Sequence, residues 1–318
     1  MRVLISTLAL TGVLCLGLGA APAPAFTEEA VTQTIPVGTL YGTLMLPAGT
    51  GPVPVALIVA GSGATDRNGN SPGLTTDMYR KLAQALAARG IATLRYDKRL
   101  IGASVVKQTE AQLRFDDYVD DAIVLADRLA ADPRFSSVTV IGHSEGSLIG
   151  ILAAERDAHI AKVVTLEGAG RDLADILEEQ VRAQAAPPAI VAEIVVYDKD
   201  LRNGIAVPSP DPQLASLYRP SVQPYLISEF RYDPAVEIAK LSQPVMIVQG
   251  THDIQVQIKD ADLLAAAQPK AKRVSIDGMN HILVDAPADR AGNVATYGQP
   301  QLPVDATAVA SIADFIRL

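Results

Sequence analysis

Residues 138–150 read Val138-Thr139-Val140-Ile141-Gly142-His143-Ser144-Glu145-Gly146-Ser147-Leu148-Ile149-Gly150. An apolar, β-branched run comes first, then G-x-S-x-G, then a helical pattern reaching Arg156. This succession predicts a buried strand over 138–141, a sharp turn that presents Ser144, and a helix over 147–156. The glycines at 142 and 146 suit that turn, because bulky side chains two residues either side of the serine would clash. The helix behind the turn aims its N-terminus at Ser144, which favours negative charge developing there. A bare G-x-S-x-G string is common. Set between strand and helix at mid-chain, it carries information.

Outward from this segment the same alternation repeats. Residues 55–60 form a continuous apolar run, as expected of a strand buried on both faces. Residues 91–96, 162–166, 244–249 and 272–276 read as further strands. Residues 78–89, 115–131, 261–267 and 307–317 read as helices. Two early strands, 31–37 and 39–46, join at Gly38. Strands alternating with helices predict a mainly parallel sheet flanked by helices. Right-handed crossovers place those helices on both faces. One stretch, 168–241, is far longer than a βα connection requires. It holds one expected helix, 173–184, and an irregular part rich in proline (Pro187, Pro188, Pro208, Pro210, Pro212, Pro220, Pro224). It is expected to be a lid, with Ile176, Leu177, Leu217, Tyr218, Tyr225 and Leu226 as candidates to line a pocket. Packing of the insertion against the core is the plainer use of each of them.

A serine hydroxyl needs a base. Four histidines follow residue 25: His143, His159, His252 and His281. His143 adjoins the serine and is read as structural, and His159 is read as an exposed residue ending a helix. His281 follows the strand ending at Ile276, in Asp277-Gly278-Met279-Asn280-His281, and is the expected base. His252, also at a strand end, is the competing candidate. Asp253 follows the strand ending at Gln249 and is the expected acid that orients the imidazole. The order Ser144, Asp253, His281 is that of α/β-hydrolase triads. The backbone N–H groups of Glu145 and of Ser62, in Gly61-Ser62-Gly63-Ala64, are the expected oxyanion donors. An ordinary tight turn is the alternative for the second loop.

Together Ala60-Gly61-Ser62-Gly63, Asp66-Arg67-Asn68-Gly69-Asn70, Leu94-Arg95-Tyr96-Asp97-Lys98-Arg99, the Ser144 pentapeptide and Met279-Asn280-His281 make a sequence that resembles bacterial α/β-hydrolases of the serine aminopeptidase-like and carboxylesterase group. The resemblance covers nearly all of residues 26–318. It implies the α/β-hydrolase fold, with an inserted lid, and hydrolysis of small acyl esters by Ser144, Asp253 and His281. A peptidase or amidase with the same triad, or a catalytically silent binding protein, are the alternatives. One departure is Leu100, where the family usually carries glycine after Asp-Lys-Arg.

Composition narrows the classes. Hydrophobic residues make up 49% and charged residues 19% of the 318, enough for one large core. The net charge of −8 comes with no basic run, so nucleic acid is not an expected partner. Residues 1–25 read as a secretory signal: Arg2, an apolar run over 3–18, then Ala23-Pro24-Ala25 before Phe26. A secreted or periplasmic protein without a stable membrane anchor is therefore expected. Cys15, the one cysteine, lies within that leader, so no disulfide is expected in residues 26–318. Asp116, Asp117, Asp120 and Asp121 resemble a metal cluster, but their spacing suits a helix N-terminus and its outer face. Asp97, Lys98 and Arg99 are read as an ion-pair network, and Asp66, Arg67 and Asn68 as shaping the loop beside Ser62. No metal spacing and no nucleotide motif is present, so no cofactor is expected.

Overall fold

The computed structural model describes residues 26–318, and the expected leader lies outside them. Strands β1 (Phe26–Ile35), β2 (Gly38–Pro47), β3 (Val53–Val59), β4 (Ala92–Tyr96), β5 (Val105–Val106), β6 (Phe135–His143), β7 (Ile160–Leu166), β8 (Val245–Gly250) and β9 (Lys272–Ile276) form one sheet. Its order is β1-β2-β4-β3-β6-β7-β8-β9, with β5 beside β2. From β4 to β9 every pairing is parallel. Strands β1, β2 and β5 attach antiparallel. The first hairpin is longer than its pattern suggested, because β1 pairs with β2 from Phe26 onward although residues 27–29 are exposed and polar.

Period-2 alternation explains how the parallel strands serve two helical layers. Val55, Leu57 and Val59 of β3 join one core cluster, and Ala56 and Ile58 join the other. On β8, Val245 and Ile247 face the first cluster, Met246 and Val248 the second. Helices α1 (Met78–Ala87), α2 (Phe115–Ala130) and α3 (Glu145–Arg156) are the early crossovers. Leu82 and Leu86 of α1 pack into the second cluster. Val119 and Leu125 of α2, with Ile149 and Leu152 of α3, pack into the first. Burial on both sides excludes water from the sheet, at roughly 25 cal/mol per Å² of apolar surface removed.

The long insertion is more helical than its prolines implied. It holds α4 (Leu173–Ala183), α5 (Pro188–Arg202), α6 (Ala215–Tyr218), α7 (Gln223–Glu229) and α8 (Pro234–Ile238). Pro188, Pro224 and Pro234 sit in the first turn of α5, α7 and α8. There the missing N–H costs nothing and the fixed φ is already helical. A density of prolines read as irregular chain is therefore, in part, a set of helix starts. Asp172 and Asp233 cap α4 and α8 by accepting backbone N–H groups. After it come α9 (Ile258–Ala267), α10 (Arg290–Tyr297) and α11 (Ala306–Arg317), the last packing Ile312 and Ile316 into the second cluster.

The topology also locates the crevice. From β3 the chain crosses to β4 on one side, and later reaches β6 on β3's other side. Strand order reverses there, so the loops after β3 and β6 diverge and leave an opening at the carboxyl ends of the strands. Those loops carry Gly61 and Ser144.

Candidate active site

Ser144 stands between β6 and α3 with φ 54° and ψ −125°. A residue with a side chain rarely adopts this conformation, and strain of this kind clusters at functional sites. The two elbow glycines are required by close approach. A Cβ on Gly142 would lie 2.0 Å from the Gly146 carbonyl oxygen, and one on Gly146 would lie 2.3 Å from that of Val59. The half-buried Ser144 side chain opens into a cavity of about 90 Å³. Ser62 and Glu145, Leu148 of α3, and Leu173, Ile176 and Leu177 of α4 line it as well. The Ser144 hydroxyl makes no hydrogen bond among the described residues.

Asp253 and His281 are brought together by the loops after β8 and β9. His281 Nδ1 donates to Asp253 Oδ2 at 2.6 Å, and both side chains are buried. Asp253 Oδ1 accepts the backbone N–H groups of Gln255 at 2.7 Å and Val256 at 3.0 Å. Burial pushes the Asp253 carboxyl up, but His281 and these hydrogen bonds outweigh it and hold the group below its usual range. With Nδ1 carrying the donated proton, Nε2 is the ring's basic nitrogen. His252 is engaged elsewhere: its Nδ1 donates to the Ala286 carbonyl at 2.6 Å. His159 lies in the turn after α3 rather than at the helix end, exposed and paired with Asp127 and Asp157.

His143 links three loops. The Gly61 N–H donates to the Tyr79 hydroxyl at 2.9 Å, and that hydroxyl donates to His143 Nδ1 at 2.8 Å. His143 Nε2–H donates to the His281 carbonyl at 2.8 Å. A carbonyl can only accept, so the ring is the neutral Nε2–H tautomer. Burial, reinforced by nearby His281, pushes its pKa down to about 3. The loop after β3, the elbow and the His281 loop are thus joined through one imidazole. Nothing in the sequence marked Tyr79 as the fourth partner, since an apolar helix face hides its hydroxyl.

Lys98 is equally central. Its Nζ donates to the Gly61 carbonyl at 2.6 Å and to Glu145 Oε2 at 3.2 Å, and lies 4.8 Å from the centre of the Tyr118 ring. This buried pair ties the loop after β3 to the residue following Ser144. The rest of the motif is ion-paired as well. Asp97 meets Arg67, and Arg99 meets Asp117 and Asp121 on α2. Asp116 binds Arg156 and Tyr232. Three of the four acids that resembled a metal cluster are therefore held by arginine side chains. Of the six lid residues expected to line a pocket, Ile176 and Leu177 face the Ser144 cavity. Tyr225 lines a neighbouring cavity of about 160 Å³, separated by Glu145. Tyr218 is fully buried and donates to Asp198, and Leu226 packs in the core. Leu217 packs against that core while partly exposed. Glu229 on α7 was not anticipated: it lines the Ser144 cavity with Oε2 buried and without a hydrogen-bond partner.

Comparisons with known proteins fit this arrangement. A family described as serine aminopeptidase, S33, matches residues 73–191. Esterase EstD of Thermotoga maritima is 26% identical over 263 residues, 81% of this chain and 61% of that protein. The chain thus spans about three fifths of that relative's length. Among solved structures, Est1E from Butyrivibrio proteoclasticus, determined with ferulic acid bound, superposes with a TM-score of 0.60 at 18% identity, over 91% of this chain and 96% of that one. Proline iminopeptidase from Mycobacterium smegmatis gives 0.60 at 15% identity, over 91% and 98%. Sheet order, the strand–elbow–helix at Ser144 and these superpositions show that the chain has the α/β-hydrolase fold, and its sequence is similar in part to the serine aminopeptidase, S33, family and to an esterase.

Proposed function

We propose that the protein is a serine hydrolase that cleaves carboxylic esters with small acyl groups. The observation that carries this reading is the strained elbow presenting Ser144 to a lined cavity, with an Asp253–His281 pair, in the tautomer a base requires, whose loop is hydrogen-bonded to His143 next to Ser144. In the reaction, His281 Nε2 takes the Ser144 proton as Oγ attacks the ester carbonyl. The backbone N–H groups of Ser62 and Glu145 receive the negative charge on the carbonyl oxygen. His281 then protonates the leaving alcohol, and water, activated by the same imidazole, releases the acid from Ser144. Asp253 stays ionised and stabilises the imidazolium. The cavity is small beside the roughly 300–1,000 Å³ of drug-sized sites, which supports a short acyl or alkyl group. Residues 168–241 act as the lid in this reading.

The test is steady-state hydrolysis of p-nitrophenyl esters of increasing chain length, run beside aminoacyl amides. Folded Ser144→Ala and His281→Ala should each lose on the order of 10⁴-fold or more in kcat, since the pair acts as a unit. His252→Ala should be mild, and activity within a few-fold of wild type in Ser144→Ala would refute the assignment. A second reading, amide cleavage next to a free amino group, is favoured by Glu229. Its carboxyl, pushed well above its ordinary range by burial and the Glu145 charge, would ionise against an ammonium group entering the Ser144 cavity, and preference for the aminoacyl amides would select that reading.

A further inference from the structure

Glu167 occupies a position that the triad does not explain. It is the first residue past β7, as Asp253 lies just past β8, and these two strands are adjacent and parallel. It is fully buried and has φ 51°, a left-handed conformation that a side chain makes costly. Carboxyl oxygens of Glu167 and Asp253 and a ring nitrogen of His281 all lie within 4.8 Å of one another. Glu167 Oε1 accepts the Gly250 N–H at 2.8 Å, and Oε2 accepts from Gln249 Nε2. Among the described residues, no lysine or arginine forms an ion pair with Glu167 or Asp253. The other titratable groups nearby are Tyr297 of α10 and His143 at the end of β6, and Arg290 stands beyond Tyr297.

Two buried carboxylates beside one imidazole would leave an uncompensated charge, which is strongly unfavourable away from water. One proton removes the second of the two charges. Asp253 already accepts two backbone N–H groups and the imidazole N–H, whereas Glu167 accepts one backbone N–H and one amide. The better-solvated anion is therefore Asp253, and the proton belongs on Glu167. Burial first, and then the Asp253 charge, push the Glu167 carboxyl well above its ordinary range, in agreement with the count of donors.

We propose that Glu167 is a positioning residue for this triad: it retains the proton of a carboxyl pair and donates it to Asp253, leaving Asp253 as the single negative charge facing His281. The proposal rests on the serine-hydrolase reading above. Glu167 touches no reacting atom and acts through Asp253. It is also the group able to ionise when Asp253 is removed, because the charge that keeps it neutral is then gone.

The experiment is a pH profile of kcat/KM for wild type, Glu167→Gln, Asp253→Ala and the double variant, each verified as folded by thermal unfolding. Glutamine replaces a neutral donor with a neutral donor, so Glu167→Gln should stay within about threefold of wild type with an unchanged lower kinetic pKa. If Glu167 were instead ionised in the working enzyme, its replacement would remove a charge near His281 and lower that pKa by about one pH unit or more, overturning the proposal. Asp253→Ala should retain about tenfold or more activity over the double variant, and its residual rate should rise with pH as Glu167 ionises. Equal single and double variants, or a pH-independent residual rate, would overturn it too. This second comparison holds even if Glu167→Gln alone fails to fold, because the pH dependence of Asp253→Ala is read on its own. Ser144→Ala, measured alongside, separates the two failures: retained turnover there overturns the triad reading itself.

Discussion

His143→Gln tests the linkage of the three loops and the burial of the imidazole at once. In the native protein His143 is neutral, with a pKa near 3, while in the unfolded chain it titrates near 6.5. The native pKa is depressed, so the unfolded state binds the extra proton. Stability from this group is fully present above about pH 6.5 and is lost as pH falls toward 3, at about 1.4 kcal/mol per pH unit. Glutamine does not titrate. At pH 7.5 it should destabilise the protein by about 1–3 kcal/mol, because it cannot match both the Tyr79 hydroxyl and the His281 carbonyl, leaving a buried polar group unsatisfied. Against a typical total of about 5–15 kcal/mol this is measurable without abolishing the fold. Urea melts from pH 7.5 down to 4.5 should show the wild-type stability falling relative to the variant, the two converging near pH 5. Other titrating groups are common to both proteins and cancel in the difference. Parallel curves would refute the reasoning, since His143 would then be charging in the native state or accessible to solvent.

Two further outcomes follow from single positions. Leu100 has φ 66°, which accounts for the glycine usual there, so Leu100→Gly should melt at or above the wild-type temperature, and Leu100→Val, β-branched, below it by the equivalent of about 1 kcal/mol or more. A scanning fluorescence melt that ranked valine above glycine would contradict this. Leu177 lines the Ser144 cavity, so Leu177→Ala and Leu177→Phe should move the ranking of short against longer acyl esters in opposite directions by about 1–3 kcal/mol in kcat/KM, and an unchanged ranking with lowered stability would make the residue purely structural.

The sequence by itself determined the parts that depend on local periodicity and on residues close in the chain. Continuous apolar runs located β3, β6 and β8, because burial on both faces leaves no polar alternation to misread. The succession of strand, G-x-S-x-G and helix located the elbow, since the glycines answer to contacts within and beside that segment. Acids at the start of α2 were legible as helix-terminal charges, though their arginine partners came from elsewhere in the chain. The insertion was visible as a length, but prolines are ambiguous until it is known whether each stands at a helix start or in a loop. What only the tertiary structure decided was which side chains meet across loops from different strands. Asp253 reaching His281 rather than His252, Lys98 spanning Gly61 and Glu145, and Glu167 beside Asp253 are separated by 28 to 86 residues in sequence. They meet because parallel strands end at one edge of the sheet. The same is true of His143, whose neutral state follows from complete burial between Tyr79 and the His281 carbonyl, and no residue type or spacing in the chain specifies that environment.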